Sequence, residues 1–133
     1  MIVVDASVAS AWCFEDEATP ATDELLARVQ REGGVVPPLW AYEIANVLVT
    51  GRRRAGLSEA TVTRLMALLN SLPLDVDGNP PNSAELVATA ELHELTAHDA
   101  AYLEVASRRG LSLATLDQKL ATAARDAGVA VLP

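Results

Sequence analysis

A chain of 133 residues, half of them hydrophobic, is one domain's worth of sequence and too apolar to be disordered throughout. Its 18 acids against 10 bases give a formal net charge of −8, which argues against a protein that merely coats nucleic acid with a basic surface. No apolar run approaches the roughly 20 residues of a membrane span, Met1-Ile2-Val3-Val4 meets Asp5 without a basic leader, and a lone Cys13 excludes both an internal disulfide and a zinc site of several thiolates, so a soluble, cytoplasmic chain is expected.

In chain order, Met1 to Val4 is an unbroken apolar run, as in a strand buried on both faces. Thr22 to Glu32 reads as a helix with Leu25, Leu26 and Val29 on one face, and Val35-Val36 as a short strand closed by Pro37-Pro38. A longer helix starts near Leu39, carries Ile44, Val47 and Leu48 at helical spacing, and ends in Arg52-Arg53-Arg54-Ala55-Gly56, with Gly56 as cap. Ser58 suits the N-cap of a helix to about Asn70, its buried stripe Val62, Leu65, Met66 and Leu69. Leu74 to Val76 is a strand candidate, and Asp77-Gly78-Asn79-Pro80-Pro81 a turn. Asn82 with Glu85, then Thr96 with Asp99, have capping-box spacing before helices reaching about Leu95 and Gly110. A strand at Leu111 to Ala114, a helix at Gln118 to Ala127 and a strand at Val129 to Leu132 complete the pattern. Alternating strands and helices with buried strands imply an α/β fold, a central and mostly parallel sheet with helices on both faces, in one domain over residues 1–133.

In such sheets ligands sit at the carboxyl ends of the strands. Asp5 directly follows the first strand, Asp117 follows the Leu111–Ala114 run at the mouth of a helix, and Asp99 opens the helix after Leu95-Thr96-Ala97. Glu43 lies about one turn into its helix, flanking the apolar stripe on the same side as Asn46. Each acid also has a bland reading. Asp5 and Asp117 are typical N-caps, Asp99 can belong to the Thr96 capping box, and Glu43 can be a solvated flank or an arginine partner. Brought to one edge, however, four carboxylates repel one another, which folding tolerates only if protons or a divalent cation compensate. All-oxygen ligands suit Mg²⁺ or Mn²⁺ rather than zinc.

Four segments carry a family likeness: Met1 to Ser7, Pro38-Leu39-Trp40-Ala41-Tyr42-Glu43-Ile44-Ala45-Asn46, Leu95 to Tyr102, and Leu113-Ala114-Thr115-Leu116-Asp117. In order and separation they resemble the four motif blocks of PIN-domain ribonucleases, in detail those of VapC-type toxins of toxin–antitoxin systems. The resemblance spans essentially the whole chain. It implies that Asp5, Glu43, Asp99 and Asp117 form an acidic quartet binding one or two Mg²⁺ ions (Mn²⁺ being the alternative), with Ser7, Asn46 and Thr115 in support. His98 departs from the family, which often has tyrosine before that aspartate. We read it as a solvated helix-start residue, with a phosphate contact as the alternative, and His93 as surface or boundary.

The implied chemistry is metal-assisted hydrolysis of an RNA phosphodiester, in which no protein nucleophile is needed. Neither histidine has a sequence partner for a Ser-His-Asp or Cys-His arrangement. Arg52, Arg53 and Arg54, the only basic run, either hold RNA phosphates or complement the helix dipole. Trp12 and Trp40 either stack bases or pack, and packing is favoured. The resemblance further implies a homodimer and a cognate antitoxin whose C-terminal segment covers the active-site groove. Candidate surface for it is exposed apolar material around Trp12, Phe14 and Leu39-Trp40, with the acidic Glu15-Asp16-Glu17.

Three rivals are weighed against this. A receiver domain wants a lysine after a late strand, whereas the only lysine, Lys119, falls inside the last helix. A haloacid-dehalogenase-type phosphatase wants Asp-x-Asp after the first strand, and Asp5-Ala6-Ser7 lacks the second acid. The rival from another class is a catalytically silent binding module of the same fold, against which the presence of all four acids counts.

Overall fold

Strand β1 (Ile2–Val4) is central because all three of its side chains are fully buried, and an all-apolar strand is stable only with both faces covered. It is flanked by β2 (Gly34–Val36) on one side and β4 (Leu113–Ala114) on the other, with β3 (Leu74–Val76) and β5 (Val131–Leu132) at the edges. Every pairing is parallel, so the sheet, in the order β3-β2-β1-β4-β5, goes further than the mostly parallel sheet expected. This computed structural model describes all of Met1–Pro133.

The period-two alternation of the strands divides the core into two layers. Val3, Val35 and Leu113 point to one face, where α6 (Ala97–Arg109) and α7 (Gln118–Asp126) bury Tyr102, Leu103, Val105, Leu120 and Ala124 against them. Ile2, Val4, Val36 and Ala114 point to the other, covered by α1 (Ala6–Cys13), α2 (Pro20–Glu32) and α4 (Glu59–Ser71) through Val8, Leu25, Val29 and Leu69. Each fully buried aliphatic side chain contributes roughly 1.5–3 kcal/mol relative to exposure. Trp40, the first residue of α3 (Trp40–Arg54), touches both layers. Helix α5 (Ser83–His93) packs on α6 and buries none of its own residues.

Several ends are set by the predicted caps. Ser58 accepts from the Thr61 N–H at 3.1 Å, and Asn82 and Glu85 form a reciprocal capping box. Thr96 accepts from the Asp99 N–H at 3.2 Å, but the Asp99 carboxylate does not close that box. Ala55 takes the cap position of α3, and Gly56 follows it in the left-handed region at φ +67°. Helix α1 was not anticipated, and β4 and β5 are each shorter than the apolar runs that announced them. Met66 is 44% exposed rather than part of a buried stripe, because α4 reaches the core only through Leu65 and Leu69. Trp12, Phe14, Leu39 and Trp40 are half-buried rather than an exposed apolar surface. Trp12 and Trp40 pack on the core, as the packing reading has it, and the Trp12 Nε1–H donates to the Thr22 carbonyl at 2.8 Å. No helix is long and apolar enough to cross a membrane.

Candidate active site

The chain crosses from β1 towards β2 and β3 on one side and returns through β4 and β5 on the other, so the neighbouring strands β1 and β4 diverge in their onward connections. A crevice at the carboxyl ends of such a pair is the expected ligand position. Asp5 ends β1 there, and Thr115 to Asp117 end β4 beside it, tied by the Asp5 N–H to the Ala114 carbonyl at 3.0 Å.

Asp5 stands at the N-cap position of α1 but makes no side-chain cap. Its carboxylate, 5% exposed, instead accepts at Oδ2 from the Ser7 hydroxyl (2.7 Å) and the Thr115 hydroxyl (2.8 Å). The same hydroxyls accept from the N–H groups of Leu116 (2.9 Å) and Asp117 (3.0 Å), so Ser7 and Thr115 lock the end of β1 to the entrance of α7. Asp117 does cap α7, its Oδ1 accepting from the Leu120 N–H at 2.9 Å, which engages only one of its two oxygens. Glu43, in the first turn of α3, accepts at Oε1 from the buried Tyr102 hydroxyl at 2.6 Å. Tyr102 is one turn beyond Asp99 on α6, the spacing of residues that share a helix face. That spacing was the available sign of its place in the site.

Glu43 lies within the fields of Asp5 and Asp99, and Asp99 within those of Asp5 and Asp117. Burial pushes the Glu43 carboxyl above the usual glutamate range, and the negative charges of Asp5 and Asp99 push it further, against the Tyr102 hydrogen bond and the His98 charge. Burial, then Asp117 and Asp5, raise Asp99 in the same way, while Thr96 and His98 oppose the shift. A groove of about 620 Å³ opens beside them, lined by Glu43, Asn46, Ser7, His98 and Leu116 among others. Asn46 thus joins Glu43 on the groove wall, and His98 is both an exposed helix-start residue and part of the lining. A second hollow of about 410 Å³ continues it past Ser10, Glu17 and Val47 to Phe14, Asp16 and Arg54. Arg52, Arg53 and Arg54 are exposed, and only Arg54 lines this hollow.

The donor set is hard: carboxylate and hydroxyl oxygens with no thiolate, which fits Mg²⁺ or Mn²⁺. In this arrangement of side chains no three acidic, histidine or cysteine groups close around a common point. The residues therefore do not make a closed zinc cage, and an ion held here would take one or two carboxylates directly and keep several waters.

The raised values have a stability consequence. The native state holds the protons of Glu43 and Asp99 more tightly than the unfolded chain does. Their stabilising contribution is therefore present at low pH and is lost as pH rises from the ordinary values of 4.5 and 3.8 through the higher native ones. The α6 N-terminus favours the Asp99 anion, but burial and its neighbours outweigh that. Partial exposure screens the charges, so the effect is a few degrees rather than tens. Metal-free Asp99→Asn is expected to melt about 2–4 °C above wild type at pH 7, with the gap closing towards pH 4. A gap independent of pH would mean that Asp99 does not feel the other acids.

A family model described as PIN domain matches residues 2–126. Ribonuclease VapC3 of Pyrobaculum aerophilum is 31% identical over 122 residues, covering 90% of this chain and 92% of that protein. The crystal structure of PAE2754, also from Pyrobaculum aerophilum, superposes with a TM-score of 0.71 at 29% identity, covering 98% of this chain and 92% of the other. A five-stranded parallel sheet with acids gathered at its β1/β4 edge, matched over nearly its whole length by that model and those relatives, places this chain in the PIN-domain family, among its VapC-type members.

Proposed function

We propose that the chain is a Mg²⁺-dependent endoribonuclease acting as the toxin of a toxin–antitoxin pair, with Asp5, Glu43, Asp99 and Asp117 as its acidic quartet. The observation that carries this reading is the convergence of the acids at the β1/β4 edge, where Glu43 meets the charges of Asp5 and Asp99, and Asp99 those of Asp5 and Asp117. Together with burial, the larger cause, that convergence raises Glu43 and Asp99 beside a groove of about 620 Å³. A relative named as a ribonuclease at 31% identity supports the choice of RNA.

A bound Mg²⁺ or Mn²⁺ would supply an activated water and offset the charge of the scissile phosphate. The chain's own residues do the positioning. Asp5, fixed by two hydroxyls, is the most rigid candidate ligand, and Ser7 and Thr115 keep one of its oxygens engaged. Asp99 and Asp117 start helices whose N-terminal dipoles favour anions, a phosphate among them. Asn46 on the groove wall offers an amide to water or phosphate. Arg54, the last residue of α3, lines the extension of the groove, where it suits a flanking phosphate of a bound strand.

The same extension, with Asp16 and Glu17 beside Phe14 and Val47, suits a partner segment that is both basic and apolar, the chemistry expected of the antitoxin. A homodimer and a cytoplasmic location complete the reading. Its test is cleavage of an end-labelled single-stranded RNA. The expected result is internal cuts with Mg²⁺ or Mn²⁺ and none after chelation, and RNA binding without cleavage in any metal would favour the silent binding module.

A further inference from the structure

The four acids are not held alike. Asp5 is fixed by the Ser7 and Thr115 hydroxyls, and Asp117 by the Leu120 N–H it caps. Glu43 has a longer side chain with more torsions to fix, and it rises from a helix whose flanking Tyr42 and Asn46 are exposed. Its single hydrogen bond is the one from Tyr102, a short O–H···O contact of 2.6 Å.

Tyr102 is itself fully buried, packed with Val3, Leu103, Val105 and Leu113. A phenol held in this way has almost no freedom, so its hydroxyl is a fixed point in the fold. A buried tyrosine needs some acceptor, and a backbone carbonyl would serve as well. Here the acceptor is a groove-lining carboxylate 59 positions away in sequence, and the bond uses Oε1 alone. The aromatic ring thus carries the rigidity of the sheet-facing core out to a quartet member that no neighbour on its own helix holds.

We propose that Tyr102 is the positioning residue of Glu43: its hydroxyl fixes the direction of the carboxylate so that Oε2 is presented to the groove. This rests on the reading of the quartet as a metal site. Tyr102 touches neither substrate nor metal and acts only through Glu43. A partner of this kind typically changes metal affinity or activity by about 10–100-fold when removed.

The test compares wild type, Tyr102→Phe, Glu43→Gln and the double variant by Mn²⁺ binding, read from the electron paramagnetic resonance of the free ion, together with metal-free Tm and RNA cleavage. Tyr102→Phe is expected to weaken Mn²⁺ binding about tenfold or more. It should lower kcat with little change in KM, and leave the metal-free Tm within a few degrees of wild type. Added to Glu43→Gln, it should change Mn²⁺ affinity no further. Wild-type Mn²⁺ affinity and kcat in Tyr102→Phe would overturn the proposal whatever the Tm, and so would equal weakening in both backgrounds. Should Tyr102→Phe not fold, Glu43→Asp asks the same question, since its carboxylate is one methylene short of the hydroxyl. A loss like that expected for Tyr102→Phe supports the proposal, and wild-type affinity overturns it. Wild-type Mn²⁺ binding and cleavage in Glu43→Gln would instead remove the metal-site reading of Glu43, and the proposal with it.

Discussion

Asp5→Asn is expected to lower RNA cleavage by about a thousandfold or more while leaving the protein folded. The loss would be large because a divalent ion held by this carboxylate would contribute several kcal/mol of charge stabilisation, and each 1.4 kcal/mol or so is a factor of ten in rate. The fold survives because an asparagine oxygen still accepts from the hydroxyls of Ser7 and Thr115, the two bonds that lock β1 to α7. The change also removes one negative charge facing Glu43 and Asp99, so the metal-free Tm should hold or rise. Asp5 makes no cap hydrogen bond, so no helix end is lost. Cleavage assays and thermal melts on the same preparation check both halves, and a clear fall in metal-free Tm would return Asp5 to a structural role.

Arg108→Met is expected to show the opposite profile, a large loss of stability with unchanged turnover per folded molecule. Asp77, just beyond β3, is buried at 5% exposure, and its carboxylate meets Arg108 Nη2 at 2.6 Å and Arg109 Nη1 at 3.9 Å. Arg108 also pairs with Glu104 at 2.7 Å, and the two acids hold its guanidinium firmly charged. Removing the arginine leaves a buried carboxylate with one distant partner, at a cost of about 2–4 kcal/mol. That corresponds to a fall in Tm of roughly 10 °C for a domain of this size. Arg108 lies in the last turn of α6 and Asp99 in its first, so kcat is expected to stay at the wild-type value. A wild-type Tm would mean that water replaces the arginine at Asp77.

What the sequence reveals and what it conceals follow from the range of the interactions involved. Strand β1 announces itself because a strand buried on both faces is apolar without interruption, and Ser58 and Asn82 mark helix starts because capping joins residues three apart. Helix α1 is concealed: Ala6-Ser7-Val8-Ala9-Ser10-Ala11-Trp12-Cys13 has no charged face, so it gives no amphipathic contrast to read. Strands β4 and β5 shrink to two residues each because only Leu113-Ala114 and Val131-Leu132 find ladder partners.

The acids divide in the same way. Asp5, Asp99 and Asp117 were legible from their places at strand ends and helix starts, and Glu43 from its flank of an apolar stripe. Whether Asp5 or Asp117 caps its helix was not legible, since both sit at cap positions and only Asp117 uses its side chain there. The Tyr102–Glu43 bond and the Asp77–Arg108 pair cross 59 and 31 positions, and no local pattern encodes either. The arginine run ending α3 reads the same as a dipole complement or a phosphate contact, and its exposure is compatible with both.

The most direct measurement is the Tm of wild type and Asp99→Asn through an Mn²⁺ titration at pH 7, with labelled-RNA cleavage in the same samples. A site formed by the quartet should raise the wild-type Tm by several degrees, since binding at a hundred times Kd adds about 2.7 kcal/mol. Asp99→Asn should start higher without metal, respond weakly to Mn²⁺, and cut no RNA. Two proteins that ignore the metal and leave the RNA intact would contradict the account, making these acids helix caps and groove walls of a binding module.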